Sequence, residues 1–428
     1  MQIHVVRRGQ TLYGIARAFN TTVQEIVRAN EIPDPNQLVI GQALVIPIVG
    51  KYHWVQPGES LWSISRRYNI DPRELARINA ISYNAILFVG FRLYIPPRPK
   101  TSIEVNAYIE PITRVTEAQK IEVRRIGPYL TYLAPFSFQA KRDGTLAPPP
   151  LDDLTTIAKQ YGVTNMLVVT NLEEGQFSKE LASAILTNDQ VSTNLLNNII
   201  KTANRLGFKD IHFDFEFIDP KDTEAYNRFL TKAASVLRPA GFIMSTALAP
   251  KTSAEQVGPW YTAHDYSAHG KVVDFSILMT YEWGYTFSTP QAVSPIGPVT
   301  QVVQYALTEM PANKIMLGQN LYGYDWKEPF KTGGNPAKAL SPQQAIELAK
   351  RQKVSILYDE KAQAPYFNYT DAEGLKHEVW FEDARSIQAK FDLIKRYRLR
   401  GISYWKLGLS FPQNWLLLQD NFNIIKRS

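Results

Sequence analysis

Residues 210–217 read Asp-Ile-His-Phe-Asp-Phe-Glu-Phe, a strict alternation of ionisable and large apolar side chains. A period of two is the mark of a strand, with Ile211, Phe213, Phe215 and Phe217 on one face and Asp210, His212, Asp214 and Glu216 on the other. The apolar face suits packing against helices. The opposite face gathers three carboxyls and an imidazole, which is costly to bury unless the groups are paired or used. A buried structural network accounts for one such group more readily than for four. Asp214 and Glu216 are next-but-one neighbours, about 6–7 Å apart along a strand. Their repulsion in a partly dry site raises one pKa and keeps a proton available near neutral pH. The chemistry this suits is acid catalysis, with Glu216 as donor to a leaving oxygen and Asp214, one step deeper, orienting and stabilising. His212 reads better as a hydrogen-bonding core residue than as a base.

Other chemistries are poorly served. The 428 residues contain no Cys, which removes thiol nucleophiles, disulfides and cysteine-ligated zinc. Of six His, His264 and His269 are five apart, off the i,i+4 face, and no cluster has metal-ligand spacing. No metal and no cofactor are expected. With 45% apolar and 12% aromatic residues the chain folds, and no apolar run approaches the roughly 20 residues that span a bilayer, so no membrane insertion is expected.

The acidic strand needs a scaffold. After the stiff segment Pro96-Pro97-Arg98-Pro99-Lys100, strand-like runs alternate with amphipathic helical stretches. Strands are expected near Ile103–Ile109, Tyr129–Phe138, Asn165–Asn171, Asp210–Glu216, Ile243–Ala249, Val273–Tyr281, Lys314–Tyr322 and Gly401–Lys406. Eight strand–helix repeats predict an α/β fold, a (β/α)8 TIM barrel over 102–428, with chemistry at the carboxyl ends of its strands. The long last interval predicts a small α+β insertion over about 327–385, with a hairpin of Tyr366–Thr370 and His377–Phe381 turning at Asp371–Gly374.

Ahead of the barrel lies a duplication. Shifted by 49 positions, residues 4–47 match 53–96 without a gap, including Gly9 on Gly58, Leu12 on Leu61, Asn30 on Asn79 and Gly41 on Gly90. Each unit, 1–48 and 51–97, reads strand, helix, helix, strand, with Thr11 placed to cap the first helix. Residues 1–100 hold 12 Lys+Arg, ten of them Arg, against 6 Asp+Glu, so most of the chain's net charge of +7 sits here. Such a stretch welcomes a carboxylate-bearing polymer. Nucleic acid is not expected, because no aromatic–basic stacking surface or recognition helix is present.

The stretches "VVRRGQTLYGIARAFNTTVQEIVRANEI" and "WVQPGESLWSISRRYNIDPRELARINAI", each closing on a Leu/Val-rich strand and Pro, resemble the LysM module end to end. The resemblance implies binding of N-acetylglucosamine-containing glycans, peptidoglycan or chitin. The groove would be framed by Gly9, Thr11 and Leu12, and by Gly58, Ser60 and Leu61, with Leu38–Gly41 and Leu87–Gly90 opposite. These residues also suit plain duty in the modules' turns and cores. Two modules in series would raise avidity.

The fourth-strand acids resemble family-18 glycoside hydrolases, whose motif is D-x-x-D-x-D-x-E and whose last two acids match Asp214 and Glu216. Position 212 is His where the motif has Asp, and position 209 is Lys, so Asp210 is not the motif's first acid. Met279-Thr280-Tyr281-Glu282 resembles the family's M-x-Y-D with Glu for Asp. Leu317–Gly323 resembles the strand-seven segment, and Gly401-Ile402-Ser403-Tyr404-Trp405 resembles strand eight. Thr170–Gly175 lacks the family's S-x-G-G. The resemblance implies a retaining, substrate-assisted mechanism, an exception to the two-carboxylate scheme, with Glu216, Asp214 and Tyr281 catalytic. Trp405, Glu282, Tyr322, Gln319, Trp283 and His212 would meet the substrate, and Trp380 is a further candidate wall.

The fusion of both parts, with "KRDGTL", "SPIGPV", "GQNLYGYDWK" and "GISYWKLGLSFPQNW", resembles spore-cortex-lytic enzymes. That implies N-acetylglucosaminidase action on cortex peptidoglycan fragments. The alternatives are a chitinase or chitooligosaccharidase, and a non-catalytic wall lectin. Expected partners are peptidoglycan, cortex fragments and chitooligosaccharides; a monomer is expected. Met1 leads directly into the first module, with Arg7 and Arg8 where a signal peptide needs apolar residues. No conventional signal peptide is expected, and the expected location is the spore, in the cortex or coat region.

Overall fold

A computed structural model describes residues 1–427. Eight strands, Thr101–Ile109, Tyr132–Pro135, Thr164–Thr170, Asp210–Asp214, Ile243–Leu248, Phe275–Leu278, Ile315–Asn320 and Gly401–Trp405, pair in parallel in chain order. The eighth pairs with the first and closes the barrel. Outward side chains of these strands pack under the helices; Val105, Leu278, Leu317, Ile402 and Tyr404 share one such core with Phe391 and Trp415. Phe213 and Phe215 join Tyr226 and Phe229 in another.

The strands end sooner than their patterns suggest. The fourth stops at Asp214, so Glu216 stands on the loop just beyond. There the backbone N–H of Glu216 donates to Asn171 Oδ1 at 2.9 Å instead of to a neighbouring strand. The sixth stops at Leu278, because the chain tightens into successive turns, Thr280 N–H to Leu278 O and Tyr281 N–H to Met279 O. Both departures lie at the barrel's rim, where diverging strands run out of partners.

A separate antiparallel sheet of Gly323–Lys327, Lys338–Leu340, Leu357–Asp359, Ala364–Thr370 and Lys376–Trp380 rises between barrel strands seven and eight. Its first strand begins at Gly323, ahead of residue 327, because Tyr324 and Trp326 pair with Trp380 and Glu378. Helix Pro342–Arg351, opened by a Ser341–Gln344 capping box, belongs to the same core.

The two N-terminal units each fold as strand, helix, helix, strand. In the first, Gln2–Val5 pairs with Ala43–Ile46; in the second, Lys51–Trp54 pairs with Arg92–Ile95. The duplicated asparagines do the same work in both. Asn30 bonds the N–H and C=O of Val45 at 2.8 Å, and Asn79 bonds those of Tyr94 at 2.6 and 2.9 Å. Thr11 and Ser60 cap the first helix of each unit through the N–H groups of Gly14 and Ser63.

The units differ in what they touch. The first is built into the barrel body: Ala43 and Val45 join the barrel's core, and Val39 joins that of the insertion. Ile356 N–H donates to Ile40 O at 2.9 Å, Gln343 Nε2 donates to Asn30 O at 2.8 Å, and Arg125 pairs with Glu31 at 2.9 Å. Gly41, at φ +85°, is required here, since a Cβ would come within 1.8 Å of Ile356 O. The equivalent loop of the second unit is open: Val39 is 5% exposed but Phe88 is 75% exposed, and nothing lies within 4 Å of a Cβ on Gly90.

Candidate active site

A cleft of about 500 Å³ opens at the carboxyl ends of the barrel strands. Asp214 and Glu216 from strand four, Tyr281 and Glu282 after strand six, Tyr322 after strand seven and Trp405 of strand eight all line it. Six of the expected site residues therefore converge from four strand ends.

Glu216 is held at both ends. Asn171 brackets its backbone, accepting from its N–H and donating to its carbonyl oxygen, each at 2.9 Å. Trp260 Nε1 donates to Glu216 Oε2 at 2.5 Å. Burial, then the neighbouring Asp214 carboxyl, push the Glu216 pKa well above the usual carboxylate range, and the Trp260 hydrogen bond opposes them. Burial raises Asp214 as well. Both effects favour the protonated form of the Glu216 carboxyl, the form from which a general acid starts.

Glu282 accepts from the hydroxyls of Tyr322 and Tyr324, and burial outweighs those bonds to raise its pKa. Its backbone sits at φ +66°, a conformation uncommon for a residue with a side chain. Trp405 presents its ring beside Tyr108 and Phe136, with centroids 5.4 and 4.8 Å away. Lys406 and Glu110 form an ion pair across one mouth of the cleft.

Three expected substrate residues lie elsewhere. His212 has the inward parity expected of it, but sits one layer beneath the floor, fully buried between Tyr108 and Ser245. Gln319 shares the parity of Leu317 and Leu321, which pack outward under the helices; it is fully buried and bonds Asn320. Trp283 turns away from the cleft, its backbone N–H donating to Val293 O and its ring against the barrel–helix core. Trp380 stacks on Tyr366 inside the insertion, with centroids 4.7 Å apart, and does not line the cleft. In the N-terminal units, Leu12 and Leu61 are core residues, Thr11 and Ser60 are caps, and Gly9 and Gly58 are turn residues at φ +80° and +78°. A ligand there would meet the backbone of Leu12 and Leu61, not their side chains. Among the described residues no cluster of His, Asp or Glu has the geometry of a metal site.

Sequence reasoning missed Trp260, Asn171, Tyr108 and Tyr324. Tyr108 carried a signal, being a polar-tipped ring at the carboxyl end of strand one. Trp260 lies in a loop without regular pattern, and nothing local tied it to Glu216.

Trp260 also yields an expectation. Its N–H stabilises the Glu216 carboxylate, so Trp260→Phe should raise the Glu216 pKa further. The alkaline limb of the kcat–pH profile should then move up by about one pH unit, the worth of one hydrogen bond to a charged group. A limb that stays put or moves down would show that Trp260 does not act on the acid.

Residues 124–409 match the glycosyl hydrolases family 18, and residues 4–47 and 53–96 each match the LysM domain. The chain is 62% identical, over the full length of both proteins, to the cortical fragment-lytic enzyme of Bacillus subtilis (strain 168). It is similar to the crystal structure of the Bacillus megaterium QM B1551 spore cortex-lytic enzyme SleL, with TM-score 0.92 and 52% identity, covering 100% of this chain and 99% of that one. A chitinase from Chromobacterium violaceum shares the fold at TM-score 0.69 and 23% identity, covering 74% of this chain and 98% of that one.

Proposed function

The chain belongs to family 18 of the glycosyl hydrolases and is a glycosidase; from that premise we propose that it cleaves N-acetylglucosaminyl bonds in spore cortex peptidoglycan, held to its polymer by the LysM units. The observation that carries the reading is the convergence of Asp214, Glu216 and Tyr281 on one cleft beside the ring of Trp405. The names of the full-length relatives supply the cortex as substrate and the spore as location.

Glu216 donates its proton to the glycosidic oxygen as the bond to the anomeric carbon breaks. The carbonyl oxygen of the substrate's own 2-acetamido group attacks that carbon, giving an oxazolinium-type intermediate. Asp214, as a carboxylate, accepts from the acetamido N–H and faces the positive charge that develops, and Tyr281 donates to the carbonyl oxygen. Glu216 then takes a proton from water, which attacks the anomeric carbon and completes a reaction with net retention. Trp405 offers an apolar face to the sugar's C–H surface.

Glycan capture falls mainly to the second LysM unit. Its Trp62, Ile86, Phe88 and Val89 are exposed, whereas the matching loop of the first is spent on the contact with the insertion. The Arg excess of this region suits a polymer bearing carboxylates.

Mass spectrometry of products from cortex muropeptides and from chitooligosaccharides tests the reading. Cortex fragments should yield products with reducing-end N-acetylglucosamine. Cleavage of chitooligosaccharides alone would make the protein a chitooligosaccharidase, and binding without cleavage of either would make it a lectin.

A further inference from the structure

A fully buried lysine stands outside the chemistry of the cleft. Lys390 lies on helix Ala384–Tyr397, between the insertion and barrel strand eight. Its Nζ donates to Ser294 O at 2.6 Å. The charge that offsets it is that of Glu382, itself buried just ahead of the same helix. Burial pushes the Lys390 pKa down and that of Glu382 up, and the charge of each opposes the other's shift. Glu382 Oε2 accepts from Ser386 Oγ at 2.6 Å, whereas its Oε1 has no hydrogen-bond partner in the protein. Well-packed apolar side chains in place of such a pair are often neutral or stabilising, so packing alone does not call for a lysine here.

The carbonyl it holds leads to the cleft. Ser294 stands at the far end of the loop that follows strand six, and its Oγ donates to Thr280 O at 2.6 Å. Trp283 N–H donates to Val293 O and Gly284 N–H to Ala292 O, so the two arms of the loop run side by side and Ser294 closes them. Thr280 immediately precedes Tyr281 and Glu282, which the loop sends into the cleft. Strand six has ended at Leu278, so the sheet ladder no longer fixes Thr280. Its ties are its own N–H to Leu278 O, its hydroxyl to Gly318 O at 2.7 Å, and the Ser294 hydroxyl on its carbonyl.

The placement has little slack. A Cβ on Gly318 would lie 3.1 Å from Tyr281 Cε1, so the tyrosine ring is set close against strand seven. Glu282, at φ +66°, holds a backbone conformation that persists only where its surroundings over-determine it. A donor that must meet an oxygen in the transition state loses about 10²-fold in rate for a misplacement of about 1 Å.

We propose that Lys390 is a positioning residue of the active site, which through Ser294 and Thr280 sets where Tyr281 enters the cleft. The path runs from the helix through Lys390 Nζ to Ser294 O, from Ser294 Oγ to Thr280 O, and along the chain into Tyr281. Each of its two non-covalent links is a hydrogen bond of 2.6 Å. Glu382 offsets the lysine's charge in the core, and neither residue lines the cleft. The role rests on the reaction proposed above, in which Tyr281 donates to the acetamido carbonyl oxygen.

The test uses the full chain with both charges removed together, Glu382→Gln with Lys390→Met, because either change alone leaves a buried charge without its counterpart. Gln keeps an acceptor for Ser386, and Met fills the space of the lysine's stem. A crystal structure of this double variant, which needs no substrate, should show the Tyr281 hydroxyl displaced by about 0.5 Å or more while the barrel strands stay in place. On cortex muropeptides kcat should fall by about tenfold or more, with KM changing by less than about threefold. In a Tyr281→Phe background the same pair of changes should lower kcat little further, because the hydroxyl it positions is already gone. Ser294→Ala leaves both charges and cuts only the bond to Thr280; it should reproduce the displacement and the loss, and it decides the matter if the double variant does not fold. An unmoved Tyr281 hydroxyl overturns the role, as does an unchanged kcat or a loss that adds in full to that of Tyr281→Phe. If the wild-type protein turns over no muropeptides, the substrate reading fails, and the position of Tyr281 in the variant crystal structures still decides the role of Lys390.

Discussion

Glu216→Gln abolishes turnover of cortex muropeptides, by about 10²- to 10⁴-fold in kcat, while their binding changes little. Gln preserves the shape of the side chain and an oxygen that can still accept from Trp260 Nε1. The backbone clamp from Asn171 is untouched, because it involves only the N–H and C=O of residue 216. What disappears is the transferable proton, and Asp214 cannot supply it from one step deeper. Burial is what raises the Asp214 pKa, and the substitution leaves that burial in place. Single-turnover kinetics with mass-spectrometric product analysis separates the chemical step from binding. Release of N-acetylglucosamine-terminated products at an unchanged rate would remove Glu216 from the acid role.

Deleting residues 1–98 has two consequences, of which the duplicated sequence by itself foretells only the first. Adhesion to peptidoglycan sacculi in a sedimentation assay should fall sharply, since both LysM units are lost. The remaining barrel should also melt earlier, because the first unit seals part of its surface. Val39, Ala43 and Val45 leave cores they share with the insertion and the barrel. Exposing two valines' worth of such contact costs roughly 3–6 kcal/mol, which lowers Tm by about 5–10 °C or more. The surface ion pairs Glu31–Arg125 and Met1–Asp420 add little. At 25 °C the truncated barrel should still hydrolyse soluble fragments, because no residue of 1–98 lines the catalytic cleft. Equal sacculus binding would refute the division of labour between the parts, and an unchanged Tm would refute the docking.

Much of the candidate site was legible in residues 210–217. Alternation alone separated the faces of strand four as far as Asp214 and Phe215: Ile211, Phe213 and Phe215 pack outward, whereas Phe217, beyond the strand's end, is exposed and stacks on Trp260. Alternation does not carry depth. His212 and Asp214 share a face, yet one lies under the floor and the other in the cleft, because a barrel interior is filled in layers. Resemblance misled at Gln319, whose neighbours of the same parity, Leu317 and Leu321, face the helices. Trp260 and Asn171 reach Glu216 across 44 and 45 residues of chain, a distance over which no local pattern speaks.

The sequence by itself determined whatever depends on periodicity and repetition. That covers the eight barrel strands, the two LysM units at an offset of 49, and the acid pair with its shared face. These follow from backbone geometry, which repeats every two or 3.6 residues wherever it occurs. Tertiary structure decided which of two nearly matching units is fixed and which is free. Val39 and Phe88 occupy the same place in the repeat, but only the first meets an insertion some 300 residues later in the chain. It also decided what holds His212 in place beneath the cleft floor. Barrel closure brings Tyr108 and Ser245, from strands one and five, against the same face of strand four, and burial leaves their hydrogen bonds no water as an alternative partner.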